Sequence, residues 1–201
     1  MQRDVLKEIA NIGAGHAATA LAQMLDRVIE QSLPSVELVP IQEMPKLLGG
    51  AEKIAVAGML ALTGDFSGYL LLILDLQQAE RVTAMVLGDA KESESRTNPY
   101  QFTELEQSAL RETVNIMGGS YLTAIMEFTG LSVSPSVPYL CTDMIGALLN
   151  VAAVEVGKVG DFALMFQSQL YNEKERIIGD LLLIPEENSC DIIMRALGLE
   201  E

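Results

Sequence analysis

Two pairs of a glutamate and an asparagine, Glu8 with Asn11 and Glu112 with Asn115, have types and spacing that could support a hydrolysis reaction. Residues three apart are neighbours on a helix surface, so each pair would present an acid beside an amide. An amide does not accept a proton near neutral pH, but it can orient a water molecule, as the glutamine of GTP-hydrolysing proteins does. The carboxylate can pair with a lysine on a second protein. Such a pair suits a reaction with a good leaving group and a metal ion supplied elsewhere.

The two pairs belong to an internal repeat. Leu, Glu, Asn and Ile coincide when residues 6–12 are aligned with residues 110–116, and the same offset aligns Pro34 with Pro138. A single pair is most simply explained as a solvated helix face with an incidental hydrogen bond. Solvent-facing positions are free to drift after a duplication, yet here the polar positions match better than the core does. The repetition therefore favours a function for both pairs.

Each pair lies on a narrow polar strip when residues are placed about 100° apart around a helix. The first strip is Asp4, Glu8, Asn11 and Gly15, and the second strip is Ser108, Glu112, Asn115 and Gly119. A glycine inside a helix costs about 1 kcal/mol relative to alanine, but its missing side chain lets another backbone approach the asparagine closely. Gly13 and Gly118 lie off the strips, where tight helix packing explains them.

Other catalytic or metal-binding arrangements have little support in the sequence. His16 is matched by Ser120 in the second copy and is expected to face the apolar side, which favours packing over a role as a general base. No glycine-rich loop of the P-loop type is present. Cys141 and Cys190 have no ligand spacing around them, and with a single histidine they do not form a zinc site. We therefore expect no metal site and no intrinsic cofactor.

The elements that must position the strips follow from periodicity and capping signals. Thr103 and Glu106 form a predicted capping box at the start of the second long helix. The predicted long helices span residues 2–30 and 104–129. The predicted strands span residues 36–41, 54–62, 68–74, 162–170 and 177–184. The predicted shorter helices span residues 44–48, 77–87, 142–154 and 190–197. Long helices packed on an antiparallel sheet give an α+β fold with two pseudo-symmetric halves.

The repeat also predicts the domain organisation. The two halves are residues 1–90 and 100–201, joined by a polar linker at about residues 89–99. Neither half would bury the face of its sheet alone. We therefore expect a single domain over residues 1–201.

Composition limits the partners and the location. The chain has 28 acidic residues against 13 basic ones, a net charge of −15. A field of this sign repels phosphate backbones and anionic lipid, so we expect no nucleic-acid partner and no membrane-surface partner. The longest apolar stretches fall well short of the roughly 18 residues that span a bilayer, and the charged N-terminus does not resemble a targeting signal. We expect a cytoplasmic monomer, although edge strands could pair between chains.

Both strips extend to a proline at a fixed distance. The sequence contains the patterns Asp4-x3-Glu8-x2-Asn11-x22-Pro34 and Ser108-x3-Glu112-x2-Asn115-x22-Pro138. This double pattern resembles the active-site signature of the CheC family, phosphatases of the chemotaxis response regulator CheY that are related to CheX and FliY. CheX carries one such site, and FliY is longer, with an added C-terminal domain.

The resemblance implies a reaction and roles for the strip residues. The substrate would be the phospho-aspartate of CheY-P, with Mg²⁺ bound by the regulator. Asn11 or Asn115 would orient a water for in-line attack, and Glu8 or Glu112 would pair with the active-site lysine of the regulator. Asp4 and Ser108 would be supporting positions, and Pro34 and Pro138 structural ones.

The resemblance also implies a second partner, the receptor-modifying deamidase CheD. Residues 141–144 resemble the surface that contacts CheD, with Asp143 as the residue carried over. A simple helix N-cap is an equal alternative for Asp143, since an apolar helix is predicted to follow it.

Two other functions remain open. The same strips could serve a non-catalytic adaptor that binds CheY-P and CheD without hydrolysis. The chain could also be a component of the flagellar switch, although no second domain follows residue 201 in this sequence.

Overall fold

The computed structural model describes residues 2–32, 34–88, 98, 100–156, 162–171 and 176–198. The helices within these residues are α1 (Gln2–Leu25), α2 (Met44–Leu47), α3 (Leu76–Leu87), α4 (Glu104–Thr129), α5 (Ile145–Val156) and α6 (Glu187–Ala196). The strands are β1 (Glu30–Gln31), β2 (Ser35–Pro40), β3 (Ile54–Gly64), β4 (Gly68–Asp75), β5 (Val133–Pro135), β6 (Tyr139–Met144), β7 (Phe162–Tyr171) and β8 (Arg176–Pro185). The order of elements is the same in the two halves of the chain, apart from a short 3₁₀ turn over Ile41–Glu43.

The strands form one sheet in which the two halves exchange strands. β4 of the first half pairs with β8 of the second at the centre, with Leu71 opposite Leu182. β1 and β2 pair with β7 of the other half, and β5 and β6 pair with β3. Every pairing within the described residues is antiparallel. The prediction of an α+β fold with long helices on an antiparallel sheet is confirmed.

Alternation along the strands separates two cores, because successive side chains point to opposite faces. On one face, Leu60, Leu72 and Leu183 pack with buried residues of α1, α3 and α4. On the other face, Leu71 and Leu182 pack beneath α2 and α5, in a core that also contains strand residues such as Ala57, Ile73 and Ile184. The central strands β3 and β4 are therefore buried on both sides over most of their length, which is why they read as nearly continuous apolar runs.

Close contacts at small residues hold the long helices in place. A Cβ on Gly13 of α1 would lie 2.8 Å from Cδ1 of Tyr121 in α4. The ring of Tyr121 in turn packs on Phe166 of β7, with the ring centroids 5.2 Å apart. Gly118 of α4 lies against the side chain of Leu60 in β3. Tight packing at both glycines is as predicted, although the neighbour of Gly118 is the sheet rather than the other long helix.

The ends of the long helices show where local signals act. Thr103 and Glu106 form the predicted capping box, in which each side chain bonds the other residue's backbone N–H. α4 ends at Gly130, which has the left-handed conformation (φ 73°) that favours glycine. The prediction that the first long helix reaches residue 30 is wrong. α1 ends at Leu25, Asp26 has a positive φ of 48°, and Glu30 already pairs with β7.

The predicted helix over residues 142–154 begins too early. Residues 142–144 belong to β6, where Thr142 pairs with Val56 and Asp143 with Ala55, and α5 begins at Ile145. The edge strands β1, β5 and β6 have no counterpart in the sequence-based prediction. The two-residue strand β1 and the three-residue strand β5 are held by partners from the opposite half, so local pattern carries little signal for them.

Candidate active site

The two predicted pairs lie on the outward sides of α1 and α4. Glu8 is exposed and Asn11 is half-buried, while the neighbouring Ile9 and Ala10 are buried against the core. The second pair repeats this arrangement: Glu112 and Asn115 are exposed, and the intervening Thr113 and Val114 are buried. The helical period therefore places the acid and the amide of each pair at the surface, with the residues between them anchoring the helix.

The side chains of both pairs are available to an incoming molecule. Among the residues that the structure describes, none forms a hydrogen bond or an ion pair with the side chain of Glu8, Asn11, Glu112 or Asn115. The two carboxylates and the Asn115 carboxamide are exposed and the Asn11 carboxamide is half-buried, and each retains its capacity for polar contacts. The arrangement therefore suits recognition of a charged group and orientation of a water molecule on a second protein.

The outer positions of the strips differ between the copies. Asp4 is exposed on α1, whereas the Ser108 hydroxyl donates a hydrogen bond of 2.9 Å to the carbonyl oxygen of Glu104 within α4. Ser108 is thus satisfied by its own helix. At this position the first strip therefore has a charged side chain, whereas the second strip has a neutral hydroxyl that is already hydrogen-bonded within its own helix.

The strip glycines leave open space beside each asparagine. Of the described residues, none has an atom within 4 Å of a Cβ built on Gly119, and a Cβ on Gly15 would meet only the Nε2 atom of Gln31, at 3.6 Å. Packing against the described residues therefore requires neither glycine. This contrasts with Gly13 and Gly118, where an added methyl group would collide with neighbouring side chains.

The expectation that His16 faces the apolar side is wrong, because His16 is exposed. Its counterpart Ser120 is half-buried and donates a hydrogen bond of 2.7 Å to the carbonyl oxygen of Ile116. Position 16 lies at the margin of the apolar face, where a helical wheel does not separate contact with the core from contact with solvent.

The two prolines of the double pattern occupy equivalent places. Pro34 directly precedes β2, and Pro138 directly precedes β6. Both are half-buried. Each therefore lies where the chain enters an edge strand paired with the other half of the molecule, a position in which the missing N–H of proline is tolerated.

Asp143 lies in the edge strand β6 and is exposed. Its Oδ1 atom accepts a hydrogen bond of 2.7 Å from the backbone N–H of Met144. Since α5 begins at Ile145, the interpretation of Asp143 as its N-cap is wrong. Cys141 in the same strand is half-buried, and burial followed by the negative charge of Asp143 raises the pKa of its thiol.

A polar cluster on the opposite face of the sheet was not predicted from the sequence. Asp180 of β8 accepts a hydrogen bond of 2.9 Å from the side-chain amide of Gln167 in β7, and burial raises the pKa of Asp180. Asp180 lines a cavity of about 260 Å³ together with Asp75 and Lys53, which form an ion pair at 4.0 Å. The three charged residues are far apart in the chain, so only the sheet register brings them together.

Comparison with known proteins decides the family. A sequence model of the CheC-like family matches residues 1–38 and 105–140, which contain both strips. The chain is 32% identical to the CheY-P phosphatase CheC of Bacillus subtilis (strain 168), over 98% of this chain and 94% of that protein. The chain belongs to the CheC-like family. The resemblance inferred from the double pattern is thereby confirmed.

The CheC-like chain also resembles a larger protein of the flagellar motor. It is 30% identical to the flagellar motor switch phosphatase FliY of Bacillus subtilis (strain 168), over 69% of this chain and 35% of FliY. The crystal structure of Thermotoga maritima FliY superimposes with a TM-score of 0.72 at 18% identity, covering 100% of this chain and 97% of that one. The fold of the CheC-like chain is thus shared with FliY.

No described helix is long and apolar enough to cross a bilayer.

Proposed function

We propose that the chain is a phosphatase that hydrolyses the phospho-aspartate of the chemotaxis response regulator CheY. One observation carries the proposal: two copies of an unpartnered acid–amide pair lie at the surface of two long helices, each anchored by buried neighbours. The name of the Bacillus subtilis relative, CheY-P phosphatase CheC, supports the choice of substrate.

In the proposed reaction, Asn11 or Asn115 orients the attacking water. The carboxamide oxygen accepts a hydrogen bond from the water, which directs a lone pair of the water oxygen at the phosphorus atom. A new P–O bond forms as the bond between phosphorus and the aspartate oxygen of the regulator breaks. The products are a free aspartate carboxylate and inorganic phosphate, which takes both protons of the water and can then release one to the solvent. An acyl phosphate already has a good leaving group, so the reaction does not require a general base from this chain.

Glu8 and Glu112 provide the proposed docking contact. An exposed carboxylate pairs with a lysine ammonium by a charge-assisted hydrogen bond, which is shorter and stronger than a neutral one. Pairing with the active-site lysine of the regulator would fix the register of the two proteins with the amide over the phosphoryl group. Mg²⁺ held by the regulator would neutralise the charge that develops on the phosphoryl oxygens.

The remaining strip residues support this docking. Gly15 and Gly119 leave room for the backbone of the regulator beside the asparagine, as the open space at Gly119 allows. Asp4 and Ser108 lie one helical turn before Glu8 and Glu112. There they border the surface on which the regulator docks. A rigid helix matters because a misplacement of about 1 Å can reduce a rate by roughly a hundredfold.

The test is the lifetime of CheY-P in the presence of the double variant Asn11→Ala/Asn115→Ala. We expect the variant to leave the regulator with its spontaneous lifetime while retaining the helical content and melting temperature of the parent. Asn150, exposed on α5 beneath the other face of the sheet, provides the matched control, and Asn150→Ala should keep full activity. Undiminished hydrolysis by the double variant would contradict the role of the asparagines. Binding of CheY-P without any hydrolysis by the parent would instead support the adaptor.

We further propose that CheD contacts the edge strand β6 at Asp143. The carboxylate of Asp143 is exposed, and no strand of the described residues pairs with the outer edge of β6, so both can take part in such a contact. Asp143→Ala should weaken binding of CheD in calorimetric titration while leaving CheY-P hydrolysis unchanged. Equal affinity for both forms would remove Asp143 from the contact. We propose that the chain is monomeric without partners, which sedimentation equilibrium tests directly.

A further inference from the structure

The first strip has a polar neighbour that the repeat does not reproduce. Gln31 belongs to the two-residue strand β1, where its backbone pairs with Leu170 of β7. Its side chain reaches back to α1, so that its Nε2 atom lies 3.6 Å from the position of a Cβ on Gly15. Gly15 is one helical turn beyond Asn11 on the same strip. A second carboxamide therefore adjoins the first site.

No such group borders the second strip in the part of the chain that the structure describes. Gln31 lies three residues before Pro34, and the residue three before Pro138 is Pro135, whose side chain neither donates nor accepts a hydrogen bond. A Cβ on Gly119 would correspondingly meet nothing within 4 Å. The two sites thus share the acid and the amide but differ in what borders the strip glycine.

The oxygen of the Gln31 carboxamide has no hydrogen-bond donor within the described part of the chain. This Oε1 atom is buried. A buried acceptor without a donor is unfavourable, because it has lost its water without gaining a protein partner. The last torsion of a glutamine side chain is soft and roughly two-fold, so the amide can turn without movement of the backbone. Such a turn exchanges the two ends of the amide: Oε1 takes the place of Nε2 beside Gly15, where an incoming N–H group would donate to it, and the NH2 group takes the buried place.

We propose that Gln31 is a positioning residue of the first site, whose carboxamide turns to accept a hydrogen bond from an N–H group of the docked regulator, so that the two sites of the chain receive their partner differently. The inference rests on the proposed function, since it takes the regulator as the molecule that covers Gly15. Gln31 acts on the reaction through the placement of the partner relative to Asn11, and it does not touch the reacting atoms.

The test separates the two sites before changing Gln31. The Asn115→Ala chain retains only the first site, and the Asn11→Ala chain retains only the second. Gln31→Leu and Gln31→Glu are placed in each background. Leucine removes the acceptor at similar size, whereas glutamate keeps an acceptor oxygen. Affinity is measured for the regulator carrying beryllofluoride in place of the phosphoryl group, and kcat and KM are measured for the phosphorylated regulator.

In the first-site background, we expect Gln31→Leu to weaken binding and raise KM by about two- to tenfold, the range of a single hydrogen bond, with kcat changed less than about twofold. Gln31→Glu should restore most of the affinity. In the second-site background, both variants should match their parent. The melting temperature of Gln31→Leu should equal or exceed that of the parent, because an unpaired buried oxygen has been removed.

Equal losses in both backgrounds, or a lowered melting temperature that accompanies the loss, would make Gln31 a structural residue and overturn the proposal. Unchanged affinity in the first-site background would also overturn it. Failure of the proposed function has a different signature. If the regulator binds but its phosphoryl group is not hydrolysed faster, an affinity loss confined to the first site would still support the placement of Gln31.

Discussion

Gly58 of β3 lies directly beneath Val114 of α4, so that a methyl group added to the glycine would overlap the valine side chain. Val114 immediately precedes Asn115 and is buried, whereas Asn115 is exposed. The contact between a strand glycine and a helix valine therefore sets both the closeness of α4 to the sheet and the rotation that turns Asn115 outward. The site depends on a residue on the inner side of its own helix.

We expect Gly58→Ala to lower the free energy of unfolding by about 1–3 kcal/mol, the typical cost of overpacking a core. Urea unfolding measures this effect. Val114→Ala should partly relieve it, so that the double variant is less destabilised than the sum of the single variants, with a coupling of about 0.5–3 kcal/mol. Additive losses would show that the two residues do not press on each other. Phosphatase activity of the second site, measured in an Asn11→Ala chain, should fall more than that of the first.

The exchange of strands between the halves predicts how the molecule unfolds. β3 of the first half carries β5 and β6 of the second, and β7 carries β1 and β2, so neither half retains a complete sheet without the other. We expect one cooperative transition, with coincident far-ultraviolet and near-ultraviolet circular dichroism curves and equal calorimetric and van't Hoff enthalpies. Two separated transitions would show that residues 1–90 and 100–201 are independent units.

The strips were predictable because helical periodicity fixes which residues share a side of a helix, and because the repeat supplied two independent examples. The start of α4 was equally predictable from its capping box. The helix ends before Gly130, which has the left-handed conformation that favours glycine. α1 was predicted too long because it ends at Leu25, before Asp26 with its positive φ, where no glycine or proline marks the stop.

Features that depend on the opposite half of the molecule were not predictable. β6 is a strand because β3 offers a free edge, and residues 142–144 have no alternation that indicates this on their own. Gln31 was missed for the same reason, since its place beside Gly15 follows from pairing of the two-residue strand β1 with β7. The cluster of Asp180, Asp75 and Lys53 likewise exists only once the sheet register is known.

The open space at Gly119 makes this glycine a test of docking that is independent of folding. Glycine in a helix interior costs about 1 kcal/mol relative to alanine, and no atom within 4 Å obstructs an added methyl group. Gly119→Ala should therefore raise the free energy of unfolding by about 1 kcal/mol. In an Asn11→Ala chain, where the second site works alone, it should lower kcat/KM by about tenfold or more, because the methyl group holds the regulator away from Asn115.

We thus expect Gly119→Ala to raise stability and lower activity. Substitution of a glycine with a purely structural role would not change the two in opposite directions. Gly15→Ala in an Asn115→Ala chain provides the matched comparison at the first site, where the nearest atom is Nε2 of Gln31 at an ordinary contact distance of 3.6 Å. Full activity of the stabilised Gly119→Ala variant would show that the regulator does not approach this part of α4.

Asp180 predicts a dependence of stability on pH. Burial raises the pKa of Asp180, opposed by the hydrogen bond from Gln167 and the charge of Lys53, and reinforced by the charge of Asp75. The folded state therefore binds a proton at a higher pH than the unfolded state does. Above the folded-state pKa the half-buried carboxylate destabilises the fold, and this cost is relieved as the pH falls through that pKa towards the unfolded-state value.

Asp180→Asn removes the charge and keeps an oxygen that can accept the hydrogen bond from Gln167. We expect this variant to have a larger free energy of unfolding than the parent at about pH 7, with the difference shrinking as the pH is lowered to about 4, near the ordinary pKa of an aspartate. Urea unfolding across this range measures the difference. Asp191 on α6 is exposed, so Asp191→Asn should show no comparable trend. A difference in the free energy of unfolding that grew on acidification would contradict this. It would mean that the attraction of Lys53 for the Asp180 carboxylate outweighs the effect of burial.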